Sequence, residues 1–265
     1  METRIEHGLS NYDYHAGSEL SKSGLDRLQK SIKHFKTAFN SQTQAMLEGS
    51  ALHKLVLEPE SFFLEYAIAP DVDKRTKAGK TEWAEFAAEN EGKELLTSKQ
   101  MEQIGSMNDA VFGHPLARTL LTGGEAEVSY FWEREGIPCK CRPDYLIDGD
   151  EGEILIDLKS TLDASPKGFI KSIANFRYDV QASWYMDGVE AVTGTRPEQF
   201  VFVAVEKTAP YAVACYTLDV MSLSYGEAKA TRDFNKFKGW VEGEADQWEG
   251  YNPELVELQL PPWAV

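Results

Sequence analysis

No run of about 18 apolar residues occurs anywhere in the chain, so no transmembrane helix is expected. The opening stretch M-E-T-R-I-E-H-G-L-S has no apolar h-region, so no secretory signal is expected either. Cysteine is scarce. The three present, Cys139, Cys141 and Cys215, form no paired framework and point to reduced thiols in a cytoplasm. Cys139 and Cys141 flank a single residue, and a four-thiolate zinc or iron–sulfur site would lack its fourth ligand. Positive charge is also short: 27 Lys and Arg stand against 43 Asp and Glu, for a net charge of −16. Neutralising nucleic-acid phosphates takes Lys and Arg, so the bulk charge alone argues against DNA or RNA. It leaves room for a basic channel in an acidic whole, because clefts focus the local potential. A bound divalent cation would also invert the local sign. There is no internal repeat and no low-complexity segment.

What is present suits a soluble globular chain. Its 265 residues, 42% of them hydrophobic, are enough to bury a proper core. One structural domain is expected. Within it, residues 1–122 form an N-terminal helical portion, 123–241 a core and 242–265 a C-terminal arm.

The stretch that organises the rest is R-P-D-Y-L-I-D-G-D-E-G-E-I-L-I-D-L-K-S, Arg142 to Ser160. It reads as a hairpin: an extended segment through Ile147, a turn cluster from Asp148 to Gly152, then a strand from Glu153 to Lys159. A period of two puts Asp157 and Lys159 on one face, with Ile154, Ile156 and Leu158 on the other. Asp144 on the preceding strand could sit beside Asp157. Two carboxylates and a lysine on one patch of sheet are costly unless something cationic is held there. Oxygen ligands of that kind suit a hard ion such as Mg²⁺. A solvated charged face would carry the same residues, and D-x-K alone is common.

Along the chain, residues 1–17 read as irregular. A helical stripe of Leu25, Leu28, Ile32 and Phe35 follows, capped by Ser21 or Ser23. Its N-terminus, the two hydroxyls and Arg27 could cradle a phosphate, or the serines could merely cap. Thr43 to Leu57 reads as a helix stopped by Pro59, with Gly49 and His53 on one face. Asp71 to Lys80 is the one strongly basic stretch. Lys74, Arg75, Lys77 and Lys80 are expected in a loop, either solvated or lining a strand-threading channel. Helices are expected over 81–90, over 97–121 with a Thr97/Gln100 capping box and a break at Gly113-His114-Pro115, and over most of 167–194. On the last of these Gln181 and Tyr185 share a face, which could be plain helix surface. Strands are expected at 125–133, 139–147, 199–206 and 211–218, and an amphipathic helix at 221–241. The tail with Trp248, Pro253, Pro261, Pro262 and Trp263 reads as a docked irregular arm.

The fragments G-S-A-L-H, C-R-P-D, D-L-K and Q-A-S-W-Y occur in that order, each on the expected kind of element. Together they resemble the RecB-type branch of the PD-(D/E)xK nuclease superfamily. The nearer likeness is to phage-type 5′→3′ double-strand DNA exonucleases, the RecE (exodeoxyribonuclease VIII) and lambda exonuclease group. It extends from Tyr14 to Leu218 and takes in L-S-K-S-G-L-D-R-L and D-K-R-T-K-A-G-K.

The resemblance implies an α/β fold: a restriction-endonuclease-like core, with a mixed central β-sheet flanked by helices, and an N-terminal helical elaboration. It implies Asp144 and Asp157 as metal carboxylates, with the Leu158 carbonyl completing the set, and Lys159 as the catalytic lysine. His53 would be a metal ligand or orienter, and Gln181 and Tyr185 would support the site and the scissile strand. Glu127 would be a further acidic residue, with Glu125 as its rival. Ser21, Ser23 and Arg27 would grip a 5′ phosphate.

In relatives the motif is often glycine-led before the first aspartate, where this chain reads Cys141-Arg142-Pro143-Asp144, and those with an iron–sulfur staple carry four cysteines. The implied reaction is Mg²⁺-dependent phosphodiester hydrolysis, with Mn²⁺ able to substitute. The implied partners are duplex DNA ends, further copies of the chain in a ring-shaped trimer, and a single-strand annealing protein. Two other readings stay open: an endonucleolytic or structure-selective repair nuclease on the same fold, and a non-enzymatic acidic protein that mimics DNA or binds a partner.

Overall fold

The computed structural model describes residues 3–37, 43–150, 152–243, 249–251 and 254–260. Trp248, Pro253, Pro261, Pro262 and Trp263 of the expected arm lie outside the described residues. In chain order the elements are β1 (Arg4–Glu6), α1 (Asn11–Ala16), α2 (Lys22–Lys30), α3 (Ile32–Lys36), α4 (Gln44–Leu57), α5 (Phe62–Glu65), β2 (Tyr66–Ile68), α6 (Lys77–Glu89) and β3 (Glu94–Leu96). Then come α7 (Ser98–Gly113), α8 (Pro115–Leu120), β4 (Glu125–Ala126), β5 (Ser129–Arg134), β6 (Ile137–Cys141), β7 (Tyr145–Asp148) and β8 (Glu153–Thr161). The last are α9 (Pro166–Phe176), α10 (Tyr178–Thr193), β9 (Gln199–Glu206), β10 (Val213–Thr217) and α11 (Val220–Val241).

A mixed five-stranded sheet, ordered β10-β9-β8-β7-β4, forms the centre. The expected hairpin is there: β7 and β8 pair antiparallel, with Tyr145 opposite Ile156. β8 and β9 are parallel, as a strand–helix–strand crossover through α9 and α10 requires. Parallel strands are covered on both faces, and β9 shows it. Phe200, Phe202 and Ala204 join one core with α2, α9, α10 and α11. Val201, Val203 and Val205 join the other, with α4, α7 and α8. Each buried Val or Phe among them contributes about 1.5–3 kcal/mol relative to exposure. The N-terminal helices thus complete the second core directly, through Leu52, Val56, Ile104 and Met107.

Several expected elements are divided. The helix through Leu25 and Phe35 breaks at Ser31, which is extended (φ −173°) and caps α3 by accepting from the His34 N–H. Serine competes with the helix for backbone partners, and here it starts a new one. The strand expected at 125–133 is two strands in different sheets, parted at Glu127, whose φ is +54°. The strand expected at 139–147 splits likewise, with Arg142 to Asp144 between β6 and β7. The helical run 167–194 breaks at left-handed Arg177 (φ 55°), held there by its bonds to the Leu25 carbonyl and to Asp26 and Asp233. Residues 1–17, expected to be irregular, contain β1 and α1, and β2 with β3 forms a small parallel pair outside the main sheet.

Candidate active site

β8 alternates as its sequence dictates. Ile156 and Leu158 enter one core, while Leu155 and Asp157 face the side that α10 covers. The hairpin register brings Asp144, one residue ahead of β7 rather than on a strand, alongside Asp157. The Leu158 N–H donates to Asp144 Oδ2 at 2.8 Å. The same oxygen lies 2.9 Å from His53 Nε2. His53 comes from α4, where its Nδ1 lies 2.8 Å from the Gly49 carbonyl, one turn back. A carbonyl only accepts, so Nδ1 carries hydrogen, and a carboxylate on Nε2 favours a second proton. Burial disfavours charge on this ring, but Asp144 outweighs it and pushes the imidazole pKa up to about 9. Asp144 in turn is drawn below the usual carboxylate range: its burial opposes charge, but His53, Lys159 and the Leu158 N–H overcome that.

Asp157 is fully buried. Gln181 Nε2, from α10, donates to its Oδ1. Lys159 forms an ion pair with its Oδ2, yet that oxygen receives no hydrogen bond of good geometry. Burial first, then the Asp144 charge, push the Asp157 carboxyl up to about 6. Two neighbouring carboxylates, one held charged and one resisting charge, form a pair in need of positive charge. Lys159 supplies part of it. Its burial opposes charge, but Asp157 and Asp144 raise its pKa and keep it an ammonium.

Gln181 is buried rather than on plain helix surface. Tyr185, one turn on, sets its ring edge-on to Phe200 and packs against the core. Burial pushes its phenol well up, with the charges of Asp157 and Asp144 among the further causes. Of the two rival acids, Glu127 is the one at the site. Its N–H donates to the Asp144 carbonyl at 3.0 Å, and burial, then Asp144, push its carboxyl up to about 8. Arg142 Nη1 stands 3.8 Å from it. Glu125 instead pairs with His7 on the surface.

Among the described residues no three His, Cys, Asp or Glu side chains close round one point as a ready-made metal cage. The donor set still fits a hard divalent ion: Asp157 Oδ2, whose partner is the Lys159 ammonium, the adjacent Asp144 carboxylate and the main chain at Leu158 between Asp157 and Lys159 are all oxygen donors. His53 Nε2 is already on Asp144 Oδ2, the contact that an orienting role would use.

At α2, Ser21 caps the helix, accepting from the Gly24 N–H at 3.4 Å, and its hydroxyl is 3.0 Å from that of Ser23. Arg27 lays its guanidinium over Phe35, 5.3 Å from the ring centroid. Two residues that the sequence reading did not single out join α2 to the site. Lys22, between the serines, stands 5.8 Å from the Tyr178 ring centroid, and Lys159 stands 4.9 Å from the same ring. Burial, opposed by Asp26, leaves the Lys22 pKa lowered. The one sequence signal for Lys22 was its position at a helix start; Tyr178 gave none. The basic stretch is not one loop. Lys77 and Lys80 lie in the first turn of α6, Lys74 is over the Trp83 ring, and Arg75 forks onto Asp73 with two 2.9 Å bonds.

The architecture is shared with the crystal structure of a "Putative exonuclease" from Eubacterium rectale, at a TM-score of 0.64 and 14% identity over 97% of both chains. At that identity the likeness is one of fold. A second solved structure, SSO0001, aligns over 80% of this chain and 85% of its own at 16% identity, with a TM-score of 0.28, and carries no argument. A search of curated proteins found no match. The model of the family described as "PDDEXK-like domain of unknown function (DUF3799)" matches residues 14–249. The motif that positions Asp144, Asp157 and Lys159 lies inside that span, and the chain belongs to this PD-(D/E)xK nuclease-like family.

Proposed function

We propose that the chain is a Mg²⁺-dependent deoxyribonuclease that digests one strand of linear duplex DNA from its 5′ end. One observation carries the reading: a buried Asp157 carboxylate held between the Gln181 amide and the Lys159 ammonium, beside the second carboxylate of Asp144. Asp144, Asp157 and the Leu158 carbonyl would hold the ion, which would polarise the scissile phosphate and lower the pKa of the attacking water. His53 fixes Asp144, and Gln181 fixes the far oxygen of Asp157. Lys159 keeps a proton at Nζ, where it offsets the charge that grows on the phosphate in the transition state. The free N–H groups of α2, the Ser21 and Ser23 hydroxyls and Lys22 suit a terminal phosphate, which supports action at ends. Tyr178, shared by Lys22 and Lys159, links that end of α2 to the carboxylates. The 3′ tail left behind would be the substrate of a single-strand annealing protein.

The test uses three substrates with Mg²⁺ or with chelator: a 5′-phosphorylated linear duplex, the same duplex without the phosphate, and a closed circle. Metal-dependent release of nucleotides, faster from the phosphorylated end and absent from the circle, is the expected result. Cutting of the circle would replace the exonuclease by an endonuclease. No release from any of them would remove the nuclease reading.

A further inference from the structure

An aromatic column runs from the core to the surface beside the ammonium groups of Lys22 and Lys159. Its root is Phe202 of β9, which is fully buried. The half-buried Tyr178 ring stacks on it, with 5.8 Å between centroids and 29° between planes. Phe176 stacks on Tyr178 in turn, at 5.7 Å and 25°. Phe176 is 60% exposed, so the column ends in a ring open to water.

An exposed aromatic side chain is ordinary by itself. This one stands on fixed backbone. Its carbonyl accepts from Lys22 Nζ at 2.9 Å. The next residue, Arg177, is buried, and its guanidinium is held by the Leu25 carbonyl, Asp26 and Asp233. α2 and α11 thus anchor the corner that presents the ring. A ring held in that way loses little freedom when a ligand lies on it.

The neighbouring charges point to the ligand. Lys22 Nζ lies 5.8 Å from the Tyr178 ring centroid and Lys159 Nζ 4.9 Å. Lys22 is already ion-paired with Asp26 at 2.8 Å, so it marks the start of α2 without standing as a free cation. In the nuclease reading the start of α2 holds the terminal phosphate, and the carboxylates beside Lys159 hold the scissile one. Those two phosphates belong to one nucleotide. Its sugar and base then lie between them, over Tyr178, and the next surface outward is Phe176. A flat apolar ring accepts the π-face of any base, which suits an enzyme that must take each base in turn.

We propose that Phe176 is the stacking platform for the base of the 5′-terminal nucleotide. The proposal rests on the nuclease reading, because that reading sets the two phosphates.

The test measures binding in chelator, where no bond is cut, to two 5′-phosphorylated duplexes closed by a hairpin at the far end. They differ only at the terminal nucleotide: one carries adenine and the other is abasic. By fluorescence anisotropy the native chain should bind the adenine end about 5–150-fold more tightly, the range for one base on one aromatic ring. Phe176→Ala should bind both ends alike, at the native chain's affinity for the abasic end, and Phe176→Trp should restore the preference. Thermal melts of both variants should match the native chain, since the position is exposed. A native chain that binds neither end or ignores the base, a preference that survives Phe176→Ala, or an equal loss on both ends in that variant would each overturn the platform. Nucleotide release by the native chain with Mg²⁺ is scored separately. Release without base preference removes the platform and leaves the nuclease reading standing. A Phe176-dependent preference without release keeps the platform and removes the nuclease reading.

Discussion

Gln181 of α10 donates its amide to Asp157 of β8, so a helix on one face of the sheet fixes the rotamer of a carboxylate on the strand beneath it. From the other face, α4 does the same for Asp144 through His53. The two acids are clamped from opposite layers, and neither can turn without breaking a bond to a different core. Gln181→Leu removes one clamp and leaves the packing volume close to unchanged. A loss of roughly 10–100-fold in turnover or metal affinity is expected, the range for residues that orient a metal-binding carboxylate. Gln181→Glu, which adds a third negative charge, should lose more. Steady-state kinetics with a Mg²⁺ titration separate the two effects.

Asp157→Asn and Lys159→Ala should each reduce nuclease activity by at least about 10²–10³-fold. The Asn variant removes a buried carboxylate whose ionisation the fold resists, so its stability without metal should be equal or higher. Circular dichroism melts beside the activity assay check both halves.

Metal should raise stability through Asp157. Mg²⁺ at a hundred times its dissociation constant stabilises by about 2.7 kcal/mol if it binds the folded state alone. The gain should vanish in Asp157→Asn. Protons compete for the same oxygen, so Mg²⁺ affinity should fall as pH drops through about 6, the pKa of the Asp157 carboxyl. Thermal shift with and without Mg²⁺ between pH 5 and 8 reads this.

Without metal, His53 contributes a pH-dependent increment of the opposite sense. Its pKa is raised from 6.5 to about 9 in the folded chain. The protonated ring is the stabilising form, so the contribution is complete below the unfolded pKa and fades as pH rises through about 9. A shift of that size corresponds to on the order of 3 kcal/mol. Urea melts in chelator of the native chain and His53→Gln should therefore differ most below pH 6.5 and converge above pH 9.

Gly188 has no room for a side chain. An added Cβ would lie 2.5 Å from the Trp132 ring and 2.9 Å from Cys141 Sγ. Gly188→Ala should destabilise by about 1–3 kcal/mol through overpacking between α10 and the small sheet, read from the urea midpoint.

The hairpin was legible because three cues agreed: alternation in Glu153 to Lys159, a Gly-rich turn, and polar residues on a single face. The Thr97 cap with Gln100 was legible for the same reason, since cap chemistry is local. The breaks at Ser31, Glu127 and Arg177 were not. Nothing in the sequence beside Arg177 announces a left-handed residue; what holds it are Leu25, Asp26 and Asp233, all distant in sequence. Lys22 and Tyr178 stayed hidden likewise, because their link to Lys159 exists only once α2 is laid across the end of α10. The β6 strand places it there, through the Leu20 N–H on the Pro138 carbonyl and the Lys140 N–H on the Leu20 carbonyl.

The turn at Glu127 hands the chain from one sheet to the other while its own N–H stays fastened to the Asp144 carbonyl. Any sliding of the small sheet β1-β5-β6 against the large one must therefore pull on the first acid of the pair. A clamp on the outer strand, such as a crosslink from β1 to β5, would stiffen the acid's main chain from a distance, without a single atom added near it.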